Sequence, residues 1–371
     1  MIDFATHLDS DNWLIPLESS WRGSLRSIPL SRDHAWSDVL RGLAHHDFYH
    51  TSDYHQLEAE RETDSAAEMI VYSEKSVLVA VPLLFRPIGI SEPCSSKTPA
   101  LSDATSVYGY AGWLASPGVT LDLLRRFGEV LGNYLHARGV VSVFARLHPL
   151  KSVQMPEPSV GEISIVGHTI ALDTGAGLAA YEAGLASGHR YEIRKLQEKG
   201  CTVEREDGNL SEFHRVYTDT MKRIGAKPQY LFSVDFLGRL ITSPRVNGRI
   251  YVARQDGNIA AMAMFIRCGT IIQYHLSCSQ PGVTRYPATK LIVDRAIRDA
   301  IEEGTHWMHL GGGVGSREDS LFAFKKGFGG QVLPFKIWRW IVRPGDYEHL
   351  CELVHRSTND PFFPAYRGLE S

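Results

Sequence analysis

The segment Pro287–Glu303 constrains this chain more than any other. Leu291, Ile292, Ala296, Ile297 and Ala300 fall at helical spacing and make one apolar face, a proline stands at the start, and Gly304 closes the run. Strand-like runs bracket it, Thr270–Ser277 before and Trp307–Leu310 after. Strand, long helix and strand in that order describe a helix crossing between neighbouring strands, which places the chain in the mixed α/β class and predicts a site at the strand ends.

The rest of the second half fits this frame. Ser164–Leu172 reads as a strand, Gly177–Gly200 as a helix with a glycine stop, and Phe213–Ile224 as another helix. Gly248–Ala253 and Ile259–Arg267 form a hairpin across Asp256-Gly257. After the triple-glycine turn Gly311–Gly313, Ser320–Gly327 reads as a short helix and Val332–Val342 as a last strand, with a weakly structured tail after Pro344.

The first half has a similar order. A helix begins near Trp36 and gives way to an aromatic, histidine-rich loop, and Ala67–Val71 and Ser76–Phe85 form a hairpin. Ile90–Ser106 is a loop rich in Ser, Pro and Thr, followed by the glycine-aromatic strand Val107–Leu114, the helix Asp122–Arg138 and the strand Val140–Ala145. The repeated order suggests two related modules, and the Pro, Ser and Glu content of Lys151–Ser159 marks a linker between them. The expected domains are 1–155 and 160–345, with a tail over 346–371.

A length of 371 residues agrees with two domains, and 43% apolar with 22% charged residues is ordinary for a globular protein. The N-terminal region lacks the basic-then-apolar order of a signal peptide, and no apolar run is long enough to span a bilayer, so the expected location is the cytoplasm. Five scattered cysteines without a CxxC pair suggest neither a disulfide framework nor a zinc site, and the sixteen histidines include no HxH or HExxH arrangement. A net charge of −3 argues against a protein that coats nucleic acid indiscriminately but leaves room for a local basic groove.

Several strings together resemble the Fem-type branch of the GNAT superfamily, which includes peptidoglycan bridge-forming aminoacyl transferases. They are YHLSCSQ at Tyr274–Gln280, HLGGG at His309–Gly313 and DSLFAFKKGFGG at Asp319–Gly330, supported by FYHTSDY, AVPLLFR, YGYAG at Tyr108–Gly112, RYEIRKLQEKG at Arg190–Gly200 and YTDTMKRIGAKPQYLF. The resemblance spans most of residues 36–342 and implies two tandem GNAT-like domains, each a mixed, mostly antiparallel sheet flanked by helices. It also implies an acyltransferase that forms an amide bond, with aminoacyl-tRNA as donor and no resident cofactor. The acceptor would be an amine of a small molecule or of a cell-wall precursor. The interdomain helical arm of some Fem-type members has no counterpart in the sequence.

The donor turns on one loop. Mainstream GNAT enzymes bind acetyl-coenzyme A through Arg/Gln-x-x-Gly-x-Gly/Ala before the long helix, where backbone N–H groups hold the pyrophosphate. Here the loop reads QPGVTRYPA: only Gln280 and Gly282 could stand in, and Pro281 and Pro287 remove donors. An acyl-coenzyme A-dependent N-acyltransferase is the alternative enzyme, and a degenerate, non-catalytic GNAT module the alternative without chemistry.

Amide formation from an activated ester needs a neutral amine near the carbonyl, donors for the oxyanion and a proton acceptor. Lys325 matches the lysine that lies in the substrate site of Fem-type enzymes and is the first catalytic candidate; a solvated helix lysine is its bland alternative. His275 has a pKa range suited to taking the amine proton, and Tyr274 beside it faces the other side of the strand. Expected substrate contacts are Ser277, Tyr108 and Tyr110 on one face of a strand, Arg190 and Arg194 with Lys195 on consecutive helical turns, Gly312 in the glycine turn, and Ser320 and Phe324 in the following helix. Asp319 with Ser320 caps that helix.

Overall fold

The computed structural model describes residues 14–15, 23–43, 46–62, 64–89, 100–152 and 160–368. Two compact units divide the chain. One is built from the chain up to Val166 and from Phe335 onward, the other from Gly167–Pro334.

In chain order the first unit contains β1 (Leu14–Ile15), β2 (Ser24–Pro29), α1 (Asp33–Gly42), α2 (Ser52–Ala59), β3 (Ala66–Glu74), β4 (Val77–Pro87), β5 (Ser102–Thr105), β6 (Leu114–Ala115), α3 (Leu121–Ala137), β7 (Val140–Arg146) and α4 (Pro149–Ser152). The strands lie in the order β1-β2-β3-β4-β5-β7, with β6 also on β4. All these pairs are antiparallel except β5 and β7, which run parallel because α3 crosses between them. Thr120 caps α3 by accepting from the Leu123 N–H at 3.2 Å. The helix buries Leu124, Phe127, Leu131 and Leu135 against Val81, Leu83 and Val143 of the sheet. Each such side chain contributes about 1.5–3 kcal/mol relative to exposure.

The second unit begins within β8 (Glu162–Asp173). It continues with α5 (Leu178–Gly184), α6 (Ser187–Glu198), β9 (Thr202–Arg205), α7 (Leu210–Arg223), α8 (Val234–Thr242), β10 (Asn247–Gln255), β11 (Asn258–Cys268), β12 (Ile271–Ser279), α9 (Thr289–Glu302), β13 (Trp307–Gly311) and α10 (Ser320–Lys326). Its sheet runs β8-β13-β12-β11-β10-β9. Again one pair is parallel, β12 with β13, bridged by α9 as the sequence predicts. Leu291, Ile292, Ala296, Ile297 and Ala300 form the buried face of α9, packed with Tyr181, Ile193, Leu196, Phe265 and Ile272. Asp294, buried on the same helix, accepts from the Tyr181 hydroxyl at 2.8 Å and from Arg298 at 3.0 Å.

The chain ends with β14 (Gln331–Ile341) and α11 (Pro344–Leu353). Ile337–Ile341 pair antiparallel with Ser142–Arg146 of β7, so the strand expected to finish the second module closes the first unit instead. Each unit thus carries a run of antiparallel strands, a helix-bridged parallel pair and an antiparallel closing strand. The expected loop at Ile90–Ser106 contains β5 at its end, its residues 90–99 lying outside the described residues; residues 153–159 of the expected linker lie outside them too. The histidine-rich loop after α1 contains α2, started by Thr51 as its cap. The expected helix Gly177–Gly200 is two helices, broken at Leu185-Ala186.

The tail after Pro344 is ordered, contrary to the sequence reading. Tyr347, Leu350, Cys351, Ala365 and Tyr366 pack on Ile88 and Val141. Asp103 on β5, fully buried, accepts from Arg86 at 2.8 Å and from Arg367, and the Tyr366 hydroxyl bonds Ser142 at 2.8 Å. No local propensity in the tail announces this; the anchor is a carboxylate more than two hundred residues away. Asp103→Ala leaves two guanidinium groups without their carboxylate. Because both arginines keep some contact with water, the expected loss is about 2 kcal/mol, below the figure for a fully buried pair. Urea denaturation measures it, and Asp103→Asn should lose less.

Candidate active site

β12 and β13 pair over three rungs only: Ile271 with Trp307, Ile272 with Met308, and Gln273 with His309. Across the last rung the buried His309 Nδ1 and Gln273 Oε1 lie 2.7 Å apart. Each strand then slips against its outer neighbour. Phe265 faces Tyr274 and Met264 faces Leu276, leaving His275 as an extra residue, while β13 passes from His309 opposite Ala171 to Gly311 opposite Ile170, leaving Leu310 extra. Bulges bend the strand that carries them. Pairing between β12 and β13 does not resume, and the sheet opens at their C-terminal ends, where open α/β sheets place their ligands.

The chain leaves β13 through Gly311 at φ 75°, a left-handed conformation that favours glycine. A side chain on Gly312 would put its Cβ 2.6 Å from the His168 carbonyl oxygen. Asp319 then ties the turn to α10: its carboxylate accepts from the Phe322 N–H and from the Val314 N–H, each at 3.0 Å. On that helix Lys325 points inward. Its Nζ donates to the Gly312 carbonyl at 2.6 Å and stands 5.9 Å from the centre of the Tyr274 ring. Lys325 is only 9% exposed, and among the described residues no carboxylate pairs with it. Burial lowers its pKa to about 8, against a smaller upward pull from Asp319. An ammonium has three donors, so two remain for a ligand. Burial also pushes the Tyr274 hydroxyl up to about 12, opposed by a hydrogen bond with Ser277.

Residues 168–326, which hold all of this geometry, match the acetyltransferase (GNAT) domain family. The match lies within the second unit. No curated protein matches the chain. Among solved structures the chain is similar to that of FemX, at 12% identity, covering 85% of this chain and 98% of that one with a TM-score of 0.61. It is also similar to L-PGS from Bacillus licheniformis, at 12% identity, 87% and 97% coverage and a TM-score of 0.51. The C-terminal domain of a putative lysylphosphatidylglycerol synthetase from Agrobacterium fabrum follows, at 14% identity, 84% and 91% coverage and a TM-score of 0.50. At these identities the likeness is one of fold.

Within the matched residues the structure brings Lys325, Tyr274, Ser277 and Gly312 together. His275 is not with them: as the bulged residue its ring lies beside Phe232, 6.3 Å between centres, whereas Tyr274 packs on Phe265 at 5.3 Å. Phe324 serves packing, with its ring against His189 and Phe328 and its carbonyl 2.9 Å from His189 Nε2. Ser320 is the exposed first residue of α10, and Asp319 alone supplies the side-chain cap. Arg190, expected among phosphate ligands, turns back to the carbonyls of Glu182 and Leu185 at 2.6 and 3.3 Å and so finishes α5. Arg194 is exposed and shares Glu198 with Lys195.

The loop Gln280–Ala288 enters α9 without a side-chain cap. Lys290, in the first turn, gives its ammonium to Glu192 of α6 at 2.6 Å, and burial beside Lys290 lowers the pKa of His189. With its amide nitrogen donating to the Ile259 carbonyl at 2.8 Å, Gln280 accepts from Arg215 at 3.1 Å. Tyr191, Glu192 and Tyr286 stand beside cations, and in the sequence their only mark is two tyrosines set among arginines, in RYEIRK and TRYPA.

In the first unit the expected strand through Tyr108 and Tyr110 is a turn, because Gly109 takes φ 107°. The two tyrosines therefore do not share a face. Tyr108 stays partly exposed, with its N–H 3.3 Å from the Glu58 carboxylate, while Tyr110 is half-buried, edge-on to Tyr49 and Phe335, and desolvation raises its pKa. Nearby the buried Asp47 holds His148 at 2.8 Å.

Lys325 costs the fold stability. Its pKa falls from 10.5 in an ordinary setting to about 8, a difference of about 3 kcal/mol at neutral pH. The folded state binds fewer protons than the unfolded state between these values, so the penalty is complete below pH 8 and disappears by pH 10.5. Lys325→Met is expected to raise the melting temperature at pH 7, with the gain shrinking steadily from pH 8 upward; melting curves across that range measure it.

Proposed function

We propose that the chain is an amide-forming aminoacyl transferase that takes its acyl group from aminoacyl-tRNA and delivers it to an amine on a small-molecule or cell-wall-precursor acceptor. The observation that carries the reading is Lys325, a buried cation at the opening between β12 and β13 that pairs with no carboxylate among the described residues. A group that destabilises the fold and faces a strand-end opening has the features of a functional residue. The Fem-type resemblance assigns the lysine to a substrate site, and one fold neighbour is named a putative lysylphosphatidylglycerol synthetase.

The acceptor nitrogen, neutral, attacks the ester carbonyl of the donor. A C–N bond forms, the carbonyl oxygen becomes an oxyanion, and the Lys325 ammonium stabilises it. Collapse breaks the C–O bond to the terminal ribose, and the proton lost by nitrogen ends on that leaving oxygen. No oxidant, metal or resident cofactor takes part. Tyr274 and Ser277 line the same opening.

The second reading, an acyl-coenzyme A-dependent N-acyltransferase, draws on the description of the matching family. The approach to α9 supports it poorly, since Pro281 and Pro287 lack N–H groups and the first-turn cation Lys290 is committed to Glu192. A cytoplasmic location belongs to this proposal; among the described residues no helix is long and apolar enough to cross a membrane.

The test supplies the protein with cellular tRNA charged with labelled amino acids and a bacterial metabolite extract. Ribonuclease-sensitive transfer of label is expected, and Lys325→Ala should lower it by about 10²-fold or more. Because the cationic form is the active one, kcat should fall as pH rises through 8. Consumption of acyl-coenzyme A without movement of label would replace this reading with the coenzyme reading; no transfer from either donor would leave the non-catalytic module.

A further inference from the structure

The two faces of α6 have different partners. Ile193 and Leu196 are buried in the core, Glu192 holds Lys290 of α9, and His189 holds the carbonyl of Phe324, the residue before Lys325. The outer face carries Tyr191, 46% exposed, whose ring has Arg194 and Lys195 within 5.9 and 5.8 Å of its centre. Tyr286, from the loop ahead of α9, stands edge-on to Tyr191 at 6.2 Å, and Arg285 lies 5.5 Å from its ring. Glu198 answers both Arg194 and Lys195, while Arg285 makes no ion pair among the described residues. Lys199 continues the exposed basic run. The surface therefore sets two aromatic rings among the four cations Arg194, Lys195, Lys199 and Arg285, against the carboxylates Glu198, shared by Arg194 and Lys195, and Glu192, held by Lys290.

A ligand that complements it presents flat rings and phosphates at alternating positions, which is the chemistry of single-stranded nucleic acid. We infer that Tyr191 and Tyr286, with Arg194 and Arg285, form a stacking platform for the single-stranded 3′ end of a tRNA. This rests on the aminoacyl-tRNA reading and adds to it the surface that receives the donor. Through His189 and Glu192 the helix that carries the platform is fastened to α10, which bears Lys325, and to the start of α9.

Fluorescence anisotropy with labelled, uncharged tRNA tests the inference, using the intact molecule and one whose single-stranded 3′ end has been removed. Trimming is expected to weaken binding to the wild type by about ten-fold. Tyr191→Ala should weaken intact tRNA by a similar factor and leave the trimmed form unchanged, while Tyr191→Phe keeps wild-type binding. Arg285→Ala should lower the slope of log K against log salt by about 0.7. If trimming weakens binding but neither Tyr191→Ala nor Arg285→Ala changes it, the platform is overturned and the tRNA reading stands. If the wild type binds neither tRNA, both fail, and Tyr191-dependent binding of coenzyme A in the same assay would assign the surface to the coenzyme.

Discussion

The second unit depends on how early β12 and β13 stop pairing. Their three rungs end at a buried His309–Gln273 contact, and bulges at His275 and Leu310 on the outer sides keep the strands from meeting again. A parallel pair has no tight turn to set its register, so the helix that crosses between the strands must fix their spacing. α9 does so with a continuous apolar face and with Asp294 bonded to Tyr181. The opening is therefore a consequence of core packing, and the loop glycines and α10 only furnish it.

The furnishing sets stability against chemistry. Gly311 and Gly312 let the chain turn where a side chain would strain or collide, and Asp319 fastens the turn to a helix too short to persist by itself. That helix then buries an ammonium beside a carbonyl and a ring, a placement that hydrophobic packing alone would never select. His189 secures α10 from the other side, so the position of Lys325 is defined by two independent contacts.

Periodicity made the architecture legible. The apolar faces of α3 and α9 and the hairpins of both halves stand in the sequence. The exchange of closing strands was not legible, because Ile337–Ile341 reads equally well as an edge to either sheet and only long-range pairing with β7 decides. α2 hid in a stretch whose aromatic and histidine side chains are buried all round, leaving no amphipathic stripe to read. Bulges are properties of two strands together, so alternation along β12 could not reveal that His275 is the extra residue. At the site, the resemblance picked out Lys325, and geometry separates it from its exposed neighbour Lys326. Arg190 misled because a cation near a helix end reads the same whether it awaits a phosphate or satisfies carbonyls. Tyr108 and Tyr110 misled because the freedom of Gly109 turned an apparent strand into a turn.

The site rests on Lys325 being a buried cation at the strand opening with no carboxylate paired to it among the described residues. The most direct measurement is a pH titration by NMR of protein labelled with carbon-13 lysine, with the signal assigned by its loss in Lys325→Met. Half-protonation near pH 8 is the result this structure predicts. A midpoint near 10.5, the ordinary lysine value, would show a solvated side chain and contradict the site as described.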